Sequence, residues 1–200
     1  MNVVLIKYNA GNVQSVLYAL ERLAINAVIS DDASTIQSAD RVIFPGVGEA
    51  STAMNYLTKT NLPAVIRSLR QPVLGICLGM QLMCSYSEEN NTECLDIFQE
   101  PVRRFSNPDE ATNRFKIPQM GWNDIYDLKS PLFENIPEHS YIYLVHSYYA
   151  AIGEHTIATA DYIQPFSAAL KKDNFFGVQF HPEKSAEAGG KVLENFIRGV

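Results

Sequence analysis

The sequence predicts an α/β fold: a mostly parallel open sheet with helices on both faces and antiparallel strands added to it. Three observations carry this expectation. Short β-branched runs alternate with helical periodicity up to about residue 94, the texture then changes to strand-like pieces separated by turns, and one helix closes the chain. Strands that alternate with helices pair side by side in parallel, and the crossover helices cover both faces.

In chain order, "NVVLI" is a β-branched run followed by the loop "KYNAGN". Val13, Val16, Leu17, Leu20 and Leu23 then recur at three- and four-residue spacing, giving strand, loop and amphipathic helix. "NAVIS" and "RVIFPGVG" read as two further strands bounded by polar or Gly/Pro punctuation, and "MNYLTKTNLPAVIRSLR" as helix with a break near Pro63. "PVLGI" is the next strand, and "LGMQLMCSYSE" the helix behind it. Later, "LDIFQEPVRRF", "FKIPQMGWNDIY", "YIYLVHSYYA", "HTIATADY" and "FFGVQF" are strand-like, and "AGGKVLENFIRG" is the closing helix. The polar segment "SNPDEATN" at 106–113 is expected to be a mobile loop. With no linker or internal repeat, 200 residues suit one domain spanning 1–200.

Composition narrows the function. Apolar residues at 46% and charged residues at 19% match ordinary globular usage and argue against disorder. A net charge of −6 leaves no basic surplus to neutralise phosphates, so no nucleic-acid partner is expected. Cys77, Cys84 and Cys94 form no CxxC pair, which fits neither a disulfide framework nor a zinc site; a reducing compartment, no metal and no cofactor are expected. The first residues hold only a four-residue apolar run without a basic leader, and no stretch reaches membrane-spanning length. A cytoplasmic protein without a membrane partner is expected.

Chemistry concentrates at "PVLGICLGMQLM". A strand that ends in Gly-x-Cys-x-Gly and turns straight into a helix is the thiol form of a nucleophile elbow, with Cys77 displayed above the sheet and Leu78 N–H as the natural first oxyanion donor. Free N–H groups and the positive dipole end of the helix favour a thiolate and the anion that follows attack. The competing reading is a small buried hydrophobe, as most free cysteines are. A base is therefore required.

His181 ends the apolar run "FFGVQF" and is followed by Pro182 and Glu183. In extended chain, residues two apart share a side, so the Glu183 carboxylate can orient the His181 imidazole as the third member of a triad does. The plainer reading of "HPE" is a turn with surface charges. His146, on another apolar strand, is the competing base and lacks a carboxylate nearby in sequence. His139 and His155 fall in polar turns and are expected to be solvated, and Cys84 is expected to pack in the core from the same helix as Cys77. In "FPGVG", Gly46 and Gly48 let a backbone N–H, that of Val47, approach a ligand as second oxyanion donor; the alternative is an ordinary strand-to-helix turn. Gln81 lies one helical turn beyond Cys77 and shares its face.

These residues resemble the class I (triad) glutamine amidotransferases, and among them the glutaminase subunits of imidazole glycerol phosphate synthases. The resemblance spans the chain: "YNAGN", "PGVG" at 45–48, "GICLGMQ" at 75–81, "PQMGWN" at 118–123, "HSYY" at 146–149 and "FHPEKS" at 180–185. It implies a three-layer, flavodoxin-like fold. It further implies that Cys77 attacks the side-chain amide of glutamine, that His181 shuttles protons, and that Glu183 holds His181. Gln81, Glu89, Gly46, Gly48 and the backbone around Ser147 and Tyr148 would position the glutamine. Ammonia would pass into a (βα)8-barrel synthase subunit of a heterodimer, with Asn12, Met120, Trp122 and Asn123 at the interface. In such proteins the barrel makes imidazole glycerol phosphate and an aminoimidazole carboxamide ribotide in histidine biosynthesis. One departure stands in the first loop, where many relatives carry Asp and Gly and this chain has Lys7, Asn9 and Ala10.

Two alternatives remain at this level: another amidotransferase of the class, against which "PQMGWN" argues, and a non-catalytic flavodoxin-like binding subunit with a vestigial triad. The chain has no phosphate-cradling glycine loop with which to sense a synthase substrate, so any control of hydrolysis must arrive through a protein interface. The "PGVG" loop is the expected switch, because two glycines let it hold two backbone arrangements, only one of which aims Val47 N–H at the oxyanion.

Overall fold

A computed structural model describes residues 1–8, 12–107 and 115–200. Asn9 and Ala10 of the first loop, and most of the segment expected to be mobile at 106–113, lie outside the described residues.

The chain runs β1 (Val3–Ile6), α1 (Val13–Arg22), β2 (Ala27–Ser30), α2 (Ala33–Gln37), β3 (Arg41–Phe44), α3 (Ala50–Lys59), α4 (Leu62–Ser68), β4 (Val73–Ile76) and α5 (Leu78–Met83). Then follow β5 (Tyr86–Ser87), β6 (Thr92–Glu93), β7 (Val102–Arg104), β8 (Gln119–Ile125), β9 (Ser140–His146), β10 (Tyr148–Ala150), β11 (Thr156–Asp161), β12 (Pro165–Lys172), β13 (Phe175–Val178) and α6 (Ala186–Arg198).

Seven strands form the main sheet in the order β11-β12-β13-β4-β3-β1-β2. β2, β1, β3, β4 and β13 pair in parallel, while β12 and β11 add an antiparallel margin. β8 and β9 form a separate hairpin, and β10, β7, β5 and β6 a small mixed sheet.

All four residues of β1 are buried, because both faces of the sheet are covered. Val3 and Leu5 point into a core shared with Val16 and Leu20 of α1 and Leu193 and Phe196 of α6. Val4 and Ile6 point the other way, into a core with Ile36 of α2, Leu57 of α3 and Ile66 of α4. The two-residue period of a strand thus feeds two separate cores, giving three layers.

The structure corrects several local expectations. The helix behind Cys77 ends at Met83 after six residues; Cys84 already has extended geometry and is buried just beyond it rather than on it. The following chain pairs as β5 with β6, a tertiary contact that a helical continuation would forfeit. The break in the second long helical stretch falls at Thr60 and Asn61, with Asn61 at φ 56°, and Pro63 sits in the first turn of α4, where its missing N–H costs nothing. α2 is a short helix without a spacing signal, capped by Asp32 accepting the Thr35 N–H. β12 carries no strand signal either: "PFSAALKK" has helix-favouring composition, but pairing on both sides with β11 and β13 overrides it.

Candidate active site

β3, β4 and β13 are neighbours, and their carboxyl ends deliver the three segments that carry the expected chemistry. Phe44 pairs with Gly75 and Val178 with Ile76, so "PGVG", Cys77 and the segment leading to His181 leave the sheet side by side. This is the edge at which open α/β sheets bind ligands.

Cys77 stands at φ 52°, ψ −108°, a backbone conformation uncommon for a residue with a Cβ. Its N–H donates to Val178 O at 2.8 Å, and its carbonyl accepts Gln81 N–H at 3.1 Å, so strand and helix hold the turn from both sides. The flanking glycines are required by proximity. A Cβ on Gly79 would overlap the Phe44 carbonyl oxygen, and one on Gly75 would meet the Met80 nitrogen at 2.7 Å.

His181 is 1% exposed, and its Nδ1 lies 2.8 Å from Glu183 Oε1. The pairing is as expected, but the route is not: Pro182–Lys184 forms a 3-10 turn rather than extended chain. The same carboxylate oxygen accepts Asn12 Nδ2, and Glu183 Oε2 is buried with no partner among the described residues. His181 N–H donates to Tyr143 O, and Ser185 Oγ donates to His181 O, tying the base to β9. Among the described residues His181 Nε2 has no nitrogen or oxygen partner, and the neighbouring side chain that interacts with the imidazole besides Glu183 is Cys77. Burial alone would lower the His181 pKa; the neighbouring Cys77 sulfur and the Glu183 carboxylate outweigh it and raise it to about 10.

His146 has the opposite environment. Burial lowers its pKa to about 4 against the pull of the Tyr148 carbonyl, so it is a neutral imidazole whose Nδ1 lies 2.7 Å from Tyr148 O. Without a carboxylate to carry a positive charge it is poorly suited to the base's role. His139 is exposed and pairs with Asp124, as expected of a solvated residue. His155 is not solvated: its ring is largely buried against Glu100 and near Phe98, a pairing invisible in local sequence.

A cavity of about 340 Å³ opens over the sulfur, lined by Val47, Gly48, Cys77, Leu78, Gln81, Glu89, Pro118, Val145, His146, Ser147 and Tyr148. Val47, Gly48, Cys77, Leu78, Gln81, Glu89, Ser147 and Tyr148 of the expected site residues are among them; Gly46, His181 and Glu183 are not. Glu89 reaches it tethered by Ala50 N–H at the start of α3, and burial raises its pKa. Leu78 N–H departs from expectation: it donates to Gly46 O at 3.3 Å and is not vacant in this conformation. Val47 N–H carries no hydrogen bond among the described residues.

Of the expected interface residues, Met120 and Trp122 are 67% and 53% exposed. Asn12 and Asn123 instead use their amides within the chain, on Glu183 and on Asp161 O. Sequence reasoning missed Gln179, fully buried beside the sulfur; a glutamine inside an apolar strand, two residues before His181, was the available signal. Among the described residues no group of three or more His, Cys, Asp or Glu could hold a metal ion, and no helix is long and apolar enough to cross a membrane.

A thiol on a strained elbow, an imidazolium held by a carboxylate and a cavity above the sulfur suit nucleophilic attack on a carbonyl carbon. The family model for glutamine amidotransferase class-I matches residues 4–200. This chain belongs to the class-I glutamine amidotransferase family. Within the family it is 55% identical over 197 residues to imidazole glycerol phosphate synthase subunit HisH of Bacteroides fragilis, covering 98% of this chain and 99% of that one. It is 46% identical over 200 residues to the subunit of the same name from Pasteurella multocida, covering 100% and 98%. The solved structure of a putative GMP synthase component from Thermoplasma acidophilum superposes with a TM-score of 0.74 at 18% identity, covering 98% of this chain and 92% of that one, a likeness of fold.

Proposed function

We propose that this chain is the cytoplasmic glutaminase subunit of an imidazole glycerol phosphate synthase, hydrolysing glutamine and delivering ammonia to a (βα)8-barrel synthase subunit in histidine biosynthesis. The observation that carries this reading is the 55% identity to a HisH subunit over nearly the whole of both chains. The geometry supports a residue-level mechanism. The Cys77 sulfur attacks the side-chain amide carbon of glutamine, and the carbonyl π electrons move to oxygen, where Val47 N–H and Leu78 N–H stabilise the charge. As the oxyanion collapses, the C–N bond breaks and His181 Nε2 gives its proton to the departing nitrogen. Ammonia leaves and a γ-glutamyl thioester remains. His181 then takes a proton from water as the water oxygen bonds to the thioester carbon; the C–S bond breaks and glutamate is released. Glu183 keeps the imidazole oriented and stabilises its cationic form.

Substrate recognition follows from the charges lining the cavity. The Glu89 carboxylate suits the α-ammonium of glutamine, Gln81 and the glycines of "PGVG" border the side chain, and the backbone at Ser147 and Tyr148 suits the α-carboxylate. Met120 and Trp122 are exposed apolar anchors of the kind a protein partner covers.

The test is labelling with a glutamine-analogue chloroketone followed by co-purification with the barrel protein. Modification of Cys77 with Cys84 and Cys94 spared supports the assignment. Equal or absent labelling of the three thiols would favour a binding protein without catalysis.

A further inference from the structure

We propose that Gln179 is a further catalytic residue, whose side-chain amide donates a hydrogen bond to the Cys77 sulfur and stabilises it as the thiolate. This inference rests on the nucleophile assignment above. Gln179 is fully buried immediately beyond β13, and its Nε2 lies 3.6 Å from Cys77 Sγ. The orientation of its amide is imposed by its neighbours. Tyr148 O, a carbonyl and therefore only an acceptor, lies 2.9 Å from Gln81 Nε2. That contact requires the nitrogen of the Gln81 amide to sit there. The same nitrogen lies 2.9 Å from the Gln179 amide, which must answer with its oxygen. The nitrogen of Gln179 is then left facing the sulfur, and rotating its amide would set two N–H donors against each other in a buried site.

A donor held at this place discriminates between the two forms of the nucleophile. A thiolate accepts the N–H. A thiol must turn its own hydrogen elsewhere: Val145 O is 3.9 Å away, and the neighbouring His181 imidazole can accept it only once it has lost its own proton. Among the described residues the other ionisable groups around the sulfur are the His181–Glu183 pair, the neutral His146, the buried Tyr8, and Glu89 and Tyr148 lining the cavity. Of these only His181 offers a charge that favours the anion; Gln179 supplies a second stabilising contact without titrating.

The readout is the pH midpoint of Cys77 alkylation by iodoacetamide in the purified chain, alone and bound to the barrel protein. Burial raises the pKa of Cys84 well above its ordinary value and that of Cys94 to about 12, so neither thiol obscures the measurement. Gln179→Met keeps the bulk and removes the donor; the thiolate-to-thiol ratio should fall about tenfold, moving the midpoint up by roughly one pH unit. Gln179→Glu presents an anionic oxygen to the sulfur and should move it further. Folded variants, judged by circular dichroism and thermal unfolding, that keep the wild-type midpoint would overturn the proposal. If neither variant folds, the Gln179 side-chain amide resonances of the unmodified protein decide: they should shift with Cys77 ionisation, and resonances indifferent to it would overturn the proposal as well. A Cys77 that ignores the chloroketone defeats the nucleophile assignment itself; a reactive Cys77 with an unmoved midpoint defeats the role of Gln179 alone.

Discussion

The carbonyl oxygen of Gly46 accepts the backbone N–H of Leu78 at 3.3 Å, so the first donor an oxyanion beside Cys77 would use is engaged by the chain itself. The bond is long for its type and exchangeable. The preceding carbonyl, that of Pro45, is held by the Tyr8 hydroxyl at 2.6 Å. Gly48 at φ 143° gives the loop the backbone freedom a peptide flip needs. Glutamine turnover should therefore be low for the isolated chain and rise by about 10² to 10³ when the barrel and its ligand bind, the usual worth of one oxyanion donor. Equal turnover alone, with barrel, and with barrel plus ligand would end the switch idea and leave the triad standing.

Cys77→Ala should remove glutamine hydrolysis while the complex still runs on added ammonia, because the sulfur is needed only to release nitrogen. His181→Ala should behave alike. Glu183→Gln should lose roughly 10⁴-fold or less, as when a triad's orienting acid is neutralised. His146→Ala should retain far more activity than His181→Ala; equal losses would mean that the base has been misassigned.

The His181 pKa sets a pH dependence whose sign can be worked out. It is raised from 6.5 to about 10, so the folded state holds a proton that the unfolded state has released across that interval. The associated stabilisation is complete below pH 6.5 and disappears as pH rises through about 10. Imidazole titration by NMR should place the midpoint near the upper value in the wild type and lower it in Cys77→Ala, which loses one of the two raising influences. A wild-type midpoint near 6.5 would contradict the coupling.

Glu89→Gln removes the charge opposite the expected α-ammonium while keeping the acceptor for Ala50 N–H. The loss should fall on binding, with KM raised about tenfold and kcat changed by less than about threefold, as for an interaction made equally in ground and transition states. A collapse of kcat at unchanged KM would place Glu89 in the chemistry instead.

Gly79→Ala should cost about 2 kcal/mol or more, because its methyl would overlap a backbone carbonyl that cannot swing aside as a side chain can. Urea unfolding measures it; a midpoint within error of wild type would mean that α5 shifts freely against β3.

The parallel half of the fold is legible in the sequence because strands buried on both faces read as continuous apolar runs, as in "VVLI" and "RVIF". The Cys77 elbow and the His181–Glu183 pair are legible because each is local. What escapes depends on distant partners. β12 follows from its two sheet neighbours rather than from "SAALKK", and the His155 ring is drawn largely out of solvent because Glu100 accepts both its backbone N–H and its ring. Leu78 N–H reads as a vacant donor because nothing in the "GICLG" stretch announces the Gly46 carbonyl. Gln179 passes as one more strand residue; its meaning lies in amides contributed by Gln81 and, through it, by Tyr148.

The pairing of β13 with β4 bears on how the protein is made. β4 and its elbow leave the ribosome well before the strand that supplies Gln179 and His181, which inserts beside β4 only once it has emerged in turn. A chain terminated before β13 lacks Gln179, His181 and Glu183 together with the Val178 carbonyl that holds the Cys77 N–H. The elbow and the groups that face its sulfur therefore come together only when β13 docks beside β4, so the site is completed late in the order of synthesis.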